Sequence, residues 1–259
     1  MAPKHFKVGA YSVYAYEVPG LGLGSSAWAG SLVLSHFLQS EASSNHIHAH
    51  PVPIRGVQAL ELGAGVGVPG IMLAAFGAKK VVLTERDDLP ALELLRRNVD
   101  ENTRLASRLV VCALDWEAPA ERSIRRVCKS LAGDLPELLI ASDVVYSPDT
   151  ARSFVRTLAA FLHASTSSAH GPEQARPHRV GVVSYTQRSS DSHAAFMTGL
   201  QDYALCIVRR ECEHGIEETA AKMRVSRDGQ QWQQQHVVLV IVRAQHSTDS
   251  GTVCCTNWS

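Results

Sequence analysis

The sequence predicts an α/β protein with a doubly wound, mostly parallel sheet whose last strand is antiparallel. Two observations predict this fold class. Strand-like and helix-like patterns alternate along most of the 259 residues, which is typical of a parallel sheet with helices on both faces. The strand-like segments are nearly continuous apolar runs, such as those at 81–83, 109–111 and 138–141, and such runs are expected of strands buried on both sides.

A hairpin and a helix are predicted ahead of the sheet. Residues 6–18 alternate loosely between apolar and polar side chains and therefore predict a β-hairpin. After Trp28 the apolar residues recur with helical spacing. Residues 40–53 carry several Ser and Pro residues and are predicted to form a surface loop. This loop contains three alternating histidines, His46, His48 and His50. No cysteine stands beside them, so we interpret them as polar loop residues and predict no metal site.

Alternating strands and helices follow as far as residue 243. Strands are predicted from short apolar runs at 57–62, 80–84, 109–113, 138–145, 180–185, 204–210 and 235–243. Helices are predicted from apolar residues at helical spacing at 69–76, 89–102, 123–131, 150–163 and 192–203. No helical pattern separates the last two strands, so we expect them to pair antiparallel.

These elements predict a single domain over residues 1–244. The domain begins with the hairpin and the tryptophan segment at 1–30. It contains two loop insertions, the one at 40–53 and a second one at 164–178 that is rich in Ser, His and Pro. Residues 245–259 are mostly polar and are predicted to form a disordered tail.

Composition limits the partners and the compartment. Lys and Arg together number 25, as do Asp and Glu, so the chain has no net charge and gives no sign of binding nucleic acid or anionic membranes. Six cysteines without a C-x-x-C pair favour a reducing compartment. The sequence shows neither a signal peptide nor a transmembrane run, so we expect the cytoplasm or the nucleus. No interface pattern is evident, and we expect a monomer.

The most informative segment is a strand, a glycine loop and a helix start at 59–70. Three alternate glycines there, Gly63, Gly65 and Gly67, lack the Cβ atoms that would keep a ligand away from the backbone. The N–H groups at the start of the following helix point into the same space. Glu85 ends the next strand, where a carboxylate can bind ribose hydroxyls. The segment therefore predicts a pocket for a nucleoside-containing cofactor.

Two cofactor classes remain open at this point. The glycines at 65, 67 and 70 match the G-x-G-x-x-G pattern of nicotinamide-binding domains, but that pattern alone is weakly specific. Glu61 stands beside the loop, and a carboxylate suits an ammonium group better than a pyrophosphate because like charges repel. S-adenosylmethionine combines an adenosine, an amino-acid head and a cationic sulfur, and it is the favoured ligand. The alternative without a ligand is that the glycines only make a tight turn.

Acidic and aromatic residues follow the next strands. Asp115 and Trp116 suit adenine, because the acid can accept from the exocyclic amine while the ring covers the base; alternatively they are a loop acid and a half-buried ring. Asp143 ends an apolar run, so its carboxylate is expected either to face a cavity or a cation, or to pin the loop. Tyr146 either walls an acceptor channel or packs. We expect Glu85, Asp115 and Asp143 at the sheet edge that carries the glycine loop.

The motifs together resemble a known family. They are G-x-x-x-x-x-W at 22–28, L-E-L-G-A-G-x-G-x-P-G at 60–70, D-W at 115–116, D-V-V-Y at 143–146 and S-Y-T-Q-R at 184–188. Over roughly residues 10–243 the chain is similar to the family 16 protein methyltransferases, class I enzymes with seven β-strands that are dominated by protein-lysine methyltransferases. The resemblance implies a Rossmann-like, seven-stranded sheet and S-adenosylmethionine as the cofactor.

The resemblance also implies roles for individual residues. The methionine side of the cofactor site would be formed by Glu61, Gly63, Gly65 and Gly67. The remaining cofactor contacts would come from Glu85 at the ribose, Asp115 and Trp116 at the adenine, and Trp28 as a cover. Asp143 would touch the cofactor and, with Tyr146, receive the substrate side chain.

The expected reaction is methyl transfer from S-adenosylmethionine to a side-chain nitrogen of a protein, with lysine favoured. By resemblance the substrate would be a chaperone, a translation factor or a histone. Asp143 is expected to dock and orient the amine, which loses its proton to water. Methylation of arginine, histidine or an N-terminus stays open, and a second acid near the site, such as Glu117, would favour arginine. A non-catalytic scaffold that binds the cofactor is the other alternative.

Overall fold

The computed structural model describes residues 2–44, 51–87, 89–165, 179–210 and 237–245. It opens with a two-stranded antiparallel hairpin of β1 (Lys4–Val8) and β2 (Tyr11–Ala15), in which Lys4 pairs with Ala15. The predicted hairpin is therefore confirmed, although it begins and ends a few residues earlier than expected. Its inward-facing side chains, including Val13 and Ala15, are buried against the main domain.

The main sheet has seven strands in the order β5-β4-β3-β6-β7-β9-β8. Its strands are β3 (Gln58–Leu62), β4 (Lys80–Glu85), β5 (Leu109–Ala113), β6 (Leu138–Ser142), β7 (Val180–Thr186), β8 (Leu205–Arg210) and β9 (Val237–Ala244). Strands β3 to β7 pair in parallel, whereas β9 is antiparallel to both of its neighbours, β7 and β8. The predicted mostly parallel sheet with an antiparallel last strand is thus confirmed.

Six helices are described, together with short 3₁₀ turns at Leu23–Ser25 and Thr103–Arg108. The helices are α1 (Ala29–Ser43), α2 (Val68–Ala75), α3 (Leu89–Glu101), α4 (Ala120–Ser130), α5 (Pro148–His163) and α6 (Ser190–Asp202). Alternate residues of β3 enter different cores, because successive side chains of a strand point to opposite faces. Ala59 lies in the core on one face of the sheet, and Leu60 and Leu62 lie in the core on the other.

Two of the differences between predicted and observed boundaries have a clear physical reason. Helix α1 continues to Ser43, so it includes the first residues of the predicted loop at 40–53; Ala42 packs against the core there, and burial outweighs the weak helix preference of the serines. Strand β6 ends at Ser142 and not at Val145, because Asp143 adopts a positive φ of 53° that no strand residue can hold.

Several predictions fall outside the described residues. They concern the three histidines of the first insertion, residues 166–178 of the second insertion and residues 246–259 of the tail. In the described parts of the chain, no helix is both long enough and apolar enough to cross a membrane. Within the same ranges no three His, Cys, Asp or Glu side chains cluster so that they could hold a metal ion.

Candidate active site

A cavity of about 450 Å³ lies at the carboxyl ends of strands β3 to β6. Its size is within the range of small-molecule sites, and its place at this edge is the usual one for ligands of open α/β sheets. The opposite wall is made by residues 21–28, which connect the hairpin to α1 and which we call the N-terminal strap. The cavity thus lies between the glycine loop and the strap.

Two of the three predicted glycines line this cavity. Gly63 and Gly65 both have positive φ angles, of 68° and 54°, and both face the cavity. The strap passes so close that a Cβ on Gly65 would lie 3.1 Å from the carbonyl oxygen of Gly24. Gly67 instead serves the packing of the loop, since it precedes α2 with a φ of 82° and a Cβ there would collide with Leu95 at 2.6 Å. Its predicted contact with the cofactor stays a prediction.

Glu61 lies behind the glycine loop and does not line the cavity. Its side chain is fully buried, and its Oε2 accepts a hydrogen bond of 3.1 Å from the N–H of Gly70 in the first turn of α2. Its Oε1 has no partner among the described residues. Burial raises the pKa of Glu61 to about 8, and the nearby carboxylate of Glu85 adds to the rise, against the Gly70 hydrogen bond. The predicted ammonium contact of Glu61 is untested.

This raised pKa predicts a pH-dependent stability. Glu61 binds more protons in the folded state than in the unfolded state between pH 4.5 and about 8, so the free energy of unfolding should fall as pH rises through that window. One such group contributes a slope of at most about 1.4 kcal/mol per pH unit. Urea denaturation at several pH values should show this slope in the wild type and lose it in Glu61→Gln. Equal slopes in both proteins would contradict a raised pKa of Glu61 in the folded state.

Glu85 lines the cavity at the end of β4, as predicted. Its Oε2 accepts a 2.8 Å hydrogen bond from the N–H of Gly65, and its Oε1 accepts one of 2.9 Å from the N–H of its neighbour Arg86. These bonds fix the carboxylate beside the glycine loop. Since each carboxylate oxygen can accept more than one hydrogen bond, Glu85 keeps acceptor capacity for the two hydroxyls of a ribose.

Asp115 and Trp116 also line the cavity, at the end of β5. The Trp116 ring packs at a tilt against Phe154, with the centroids 5.5 Å apart, and its edge lies 3.2 Å from where a Cβ on Gly63 would stand. The Asp115 Oδ1 accepts a hydrogen bond of 2.9 Å from the N–H of Glu117 and the residue is exposed to solvent. An anchored ring beside an acid suits a purine base.

Asp143 lines the cavity and also holds three chain segments together. Its Oδ2 accepts a 2.7 Å hydrogen bond from the N–H of Gly30, and its Oδ1 accepts one of 2.8 Å from the N–H of Thr186. Its own N–H donates to the carbonyl oxygen of Ser184. Asp143 therefore joins the ends of β6 and β7 to the start of α1. The interpretation as a loop-pinning acid fits this geometry, and each oxygen retains a further lone pair for a ligand.

Two aromatic residues also line the cavity, the predicted cover Trp28 and the predicted acceptor residue Tyr146. Tyr146 is 43% exposed. The Trp28 indole N–H donates a 2.8 Å hydrogen bond to the carbonyl oxygen of Leu23, which fixes the ring against the strap. Arg188 lies over this ring, with its guanidinium carbon 4.7 Å from the centroid. The sequence motif contained Arg188, but no role could be assigned to it from the sequence.

The sequence interpretation missed two buried residues that position the strap and the loop. Glu17 is almost fully buried, accepts a 2.6 Å hydrogen bond from the N–H of Ala27 and pairs with Lys4. Asn98 of α3 accepts from the N–H of Tyr16 and donates a 2.9 Å hydrogen bond to the carbonyl oxygen of Val66. Glu17 could have been found from the sequence, because an acid within an apolar run indicates a buried, hydrogen-bonded carboxylate. An asparagine within a helix gives no such indication for Asn98.

A sequence model of a family described as lysine methyltransferase matches residues 13–201. The chain belongs to the lysine methyltransferase family. It is 34% identical to the protein N-lysine methyltransferase METTL21A of Mus musculus over 140 residues, 53% of this chain and 55% of that protein. It is 32% identical to the protein N-terminal and lysine N-methyltransferase efm7 of Emericella nidulans over 122 residues, 45% and 47% of the two chains.

A third relative is the EEF1A lysine methyltransferase 3 of Xenopus tropicalis, 28% identical over 139 residues, 53% of this chain and 52% of that protein. The chain therefore spans about half the length of the curated relatives it matches. Solved structures are similar to this chain in fold, at low sequence identity. SMU.776, a structure complexed with SAH, has a TM-score of 0.57 at 8% identity and covers 94% of this chain and 56% of its own.

Membership of this lysine methyltransferase family confirms the cofactor class that the sequence predicts, S-adenosylmethionine. The cavity fits it: Glu85 at the end of β4 can accept from a ribose, and Asp115 and Trp116 at the end of β5 can contact an adenine. The backbone of Gly63 and Gly65 is the part of the wall that an amino-acid head could approach most closely, because no Cβ intervenes. The individual contacts stay predictions.

Proposed function

We propose that this lysine methyltransferase family member transfers the methyl group of S-adenosylmethionine to the Nζ atom of a lysine in a protein substrate. One observation carries the proposal: a single cavity is lined both by Glu85 and Trp116, which are predicted to bind the cofactor, and by Asp143 and Tyr146, which are predicted to receive the acceptor. Family membership supports it, as do the names of the relatives: one is a protein N-lysine methyltransferase and another a protein N-terminal and lysine N-methyltransferase.

The chain's own residues would bind and orient the acceptor amine. Bound S-adenosylmethionine would supply an electrophilic methyl group on its sulfonium. A lysine amine is protonated at neutral pH, with an ordinary pKa of about 10.4, and must lose its proton before it can attack. The carboxylate of Asp143 already accepts hydrogen bonds from two backbone N–H groups. It can therefore still bind the amine, but it stabilises the ammonium form less than a carboxylate without these bonds would. The proton would leave to water.

Lysine is favoured over arginine by the state of the second acid. Glu117 lines the cavity, but its carboxylate already accepts a hydrogen bond from Ser153 and forms an ion pair of 3.0 Å with Arg156. These two interactions lower the pKa of Glu117. A guanidinium is usually oriented by carboxylates that can bind it in a bidentate manner, and Glu117 is engaged elsewhere. Because Glu117 is already bound to Ser153 and Arg156, Asp143 is the carboxylate that would bind a lysine amine.

The target and the compartment belong to this proposal as well. We take the substrate to be a protein of the class that the relatives' names indicate, since one relative is named for EEF1A and a translation factor is among the expected targets. The cytoplasm or the nucleus is the proposed compartment, and a monomer is the proposed state. The zero net charge of the chain favours a protein over a nucleic acid as the partner.

The proposal can be tested by methyl transfer in a lysate. Wild-type protein with tritiated S-adenosylmethionine should label a discrete protein band in lysate of cells that lack it, and mass spectrometry of that band should find methyl-lysine. Asp143→Ala in parallel should give no band. Cofactor binding by calorimetry is the control. If the wild-type protein binds S-adenosylmethionine but labels no protein, a protein acceptor is contradicted. If the band contains methyl-arginine, the acceptor is arginine and not lysine.

A further inference from the structure

Trp28 presents an aromatic face that already carries a cation. The guanidinium carbon of Arg188 lies 4.7 Å from the ring centroid, which is within the range of a cation–π interaction. Trp28 and Arg188 line the same cavity as the acceptor residues Asp143 and Tyr146. The chain therefore places one of its own positive charges on an aromatic face at the acceptor end of the proposed site.

Arg188 is not needed to hold the Trp28 ring in place. The indole N–H of Trp28 is bonded to Leu23, and the Trp28 carbonyl oxygen accepts from both the N–H and the hydroxyl of Ser31, so other contacts fix the residue. Arg188 itself is exposed, and within the described ranges it makes neither a hydrogen bond nor an ion pair. A long, exposed side chain with this single contact can leave the ring at little cost.

Two carboxylates that line the cavity are already paired with other arginines. Asp149 pairs with Arg152 at 2.5 Å, and Glu117 pairs with Arg156. Asp143 accepts one backbone N–H on each oxygen, but each oxygen retains a further lone pair. An entering cation would therefore meet two suitable groups at this end of the cavity, the ring face of Trp28 and the outer lone pairs of Asp143.

We propose that the ring face of Trp28 that Arg188 covers is a subsite for an alkylammonium side chain of the substrate, and that Arg188 occupies it until such a side chain enters. The inference rests on the proposed function, which requires a lysine to reach this cavity. It assigns to Trp28 a role at the acceptor, beyond covering the cofactor. Arg188 then acts as an internal competitor that weakens the binding of any cationic acceptor.

The test uses a small cation as the probe, N-acetyl-lysine methylamide, with S-adenosylhomocysteine present. Its affinity for the whole protein is measured from the line broadening of the probe in NMR. Arg188→Gln should bind the probe about two- to fivefold more tightly than the wild type, because the competing cation is gone. Arg125→Gln, which removes an equal charge from the exposed face of α4, should leave the affinity unchanged. Equal affinities of wild type and Arg188→Gln would overturn the subsite.

A second background separates competition from a general charge effect. In Trp28→Leu the substitution Arg188→Gln should bring no gain, since the shared ring face is absent. A gain in probe affinity from Arg188→Gln in the Trp28→Leu protein would overturn the subsite. Weaker binding of S-adenosylhomocysteine by Arg188→Gln would also overturn it, because Arg188 would then support the cofactor site. Because the probe measures binding, it is independent of turnover. Methylation of a lysate protein without any gain in probe affinity would refute only the subsite; a gain without methylation in any variant would refute only the proposed function.

Discussion

Replacing Asp143 by alanine should lower methyl transfer by about 100-fold or more while leaving cofactor affinity within about threefold, since acceptor positioning carries much of the rate. The predicted cofactor residues Glu85 and Trp116 are not hydrogen-bonded to Asp143, whereas Asp143 is one of the two predicted acceptor residues. The variant should also be less stable by about 1–3 kcal/mol, because the N–H groups of Gly30 and Thr186 lose their acceptor. Calorimetry, denaturation and single-turnover transfer measure the three quantities.

Asp143→Asn separates docking from pinning. Its amide oxygen can still accept one of the two backbone N–H groups, so stability should recover in part, but the missing charge should leave methyl transfer low. Asp202→Ala, at the exposed end of α6, is the control for a lost surface carboxylate and should change neither quantity. Full transfer activity in Asp143→Ala would show that Asp143 is not part of the acceptor site. Full activity in Asp143→Asn would show that Asp143 only holds the chain segments together and that its charge does not bind the acceptor.

Gly65→Arg should abolish cofactor binding. The new side chain would start 3.1 Å from the carbonyl oxygen of Gly24 and fill the space between the glycine loop and the strap. The residue would also hold a φ of 54°, which costs a side-chain-bearing residue about 1–2 kcal/mol. Calorimetry with S-adenosylmethionine should therefore show no binding at concentrations that saturate the wild type.

Gly56→Arg is the matched control for backbone strain. Gly56 has a comparable φ of 76°, but nothing lies within 4 Å of its Cβ position and it does not line the cavity. Both variants should lose stability through the positive φ, and only Gly65→Arg should lose the cofactor. If Gly65→Arg bound S-adenosylmethionine normally, the cavity between the loop and the strap would not be the cofactor site.

The sheet and the edge that carries the site could be predicted because each leaves a local signal. Strands buried on both faces need long apolar runs, and the carboxyl ends of parallel strands share one edge, so Glu85, Asp115 and Asp143 had to lie together. The direction of a side chain has no such signal. Glu61 turns toward Gly70 because α2 packs over it, and that packing is absent from the local pattern.

The positioning contacts could not be predicted because they join distant parts of the chain. Asp143 reaches Gly30 across 113 positions, and Asn98 reaches Tyr16 across 82. Asp143 makes its bonds with a positive φ of 53°, whereas the apolar run alone predicts a strand that continues to Val145. The contact of Arg188 with Trp28 is likewise a product of folding, which brings the end of β7 next to the start of α1.

The position of β9 has a consequence for synthesis on the ribosome. Strand β9 is the last strand of the sheet to be made, yet it lies between β7 and β8 and is the partner of both. Until Val237–Ala244 has left the exit tunnel, β7 has an open edge and β8 has no partner among the strands that the structure describes. Nascent chains halted before this strand should be the species that chaperones bind and proteases cleave.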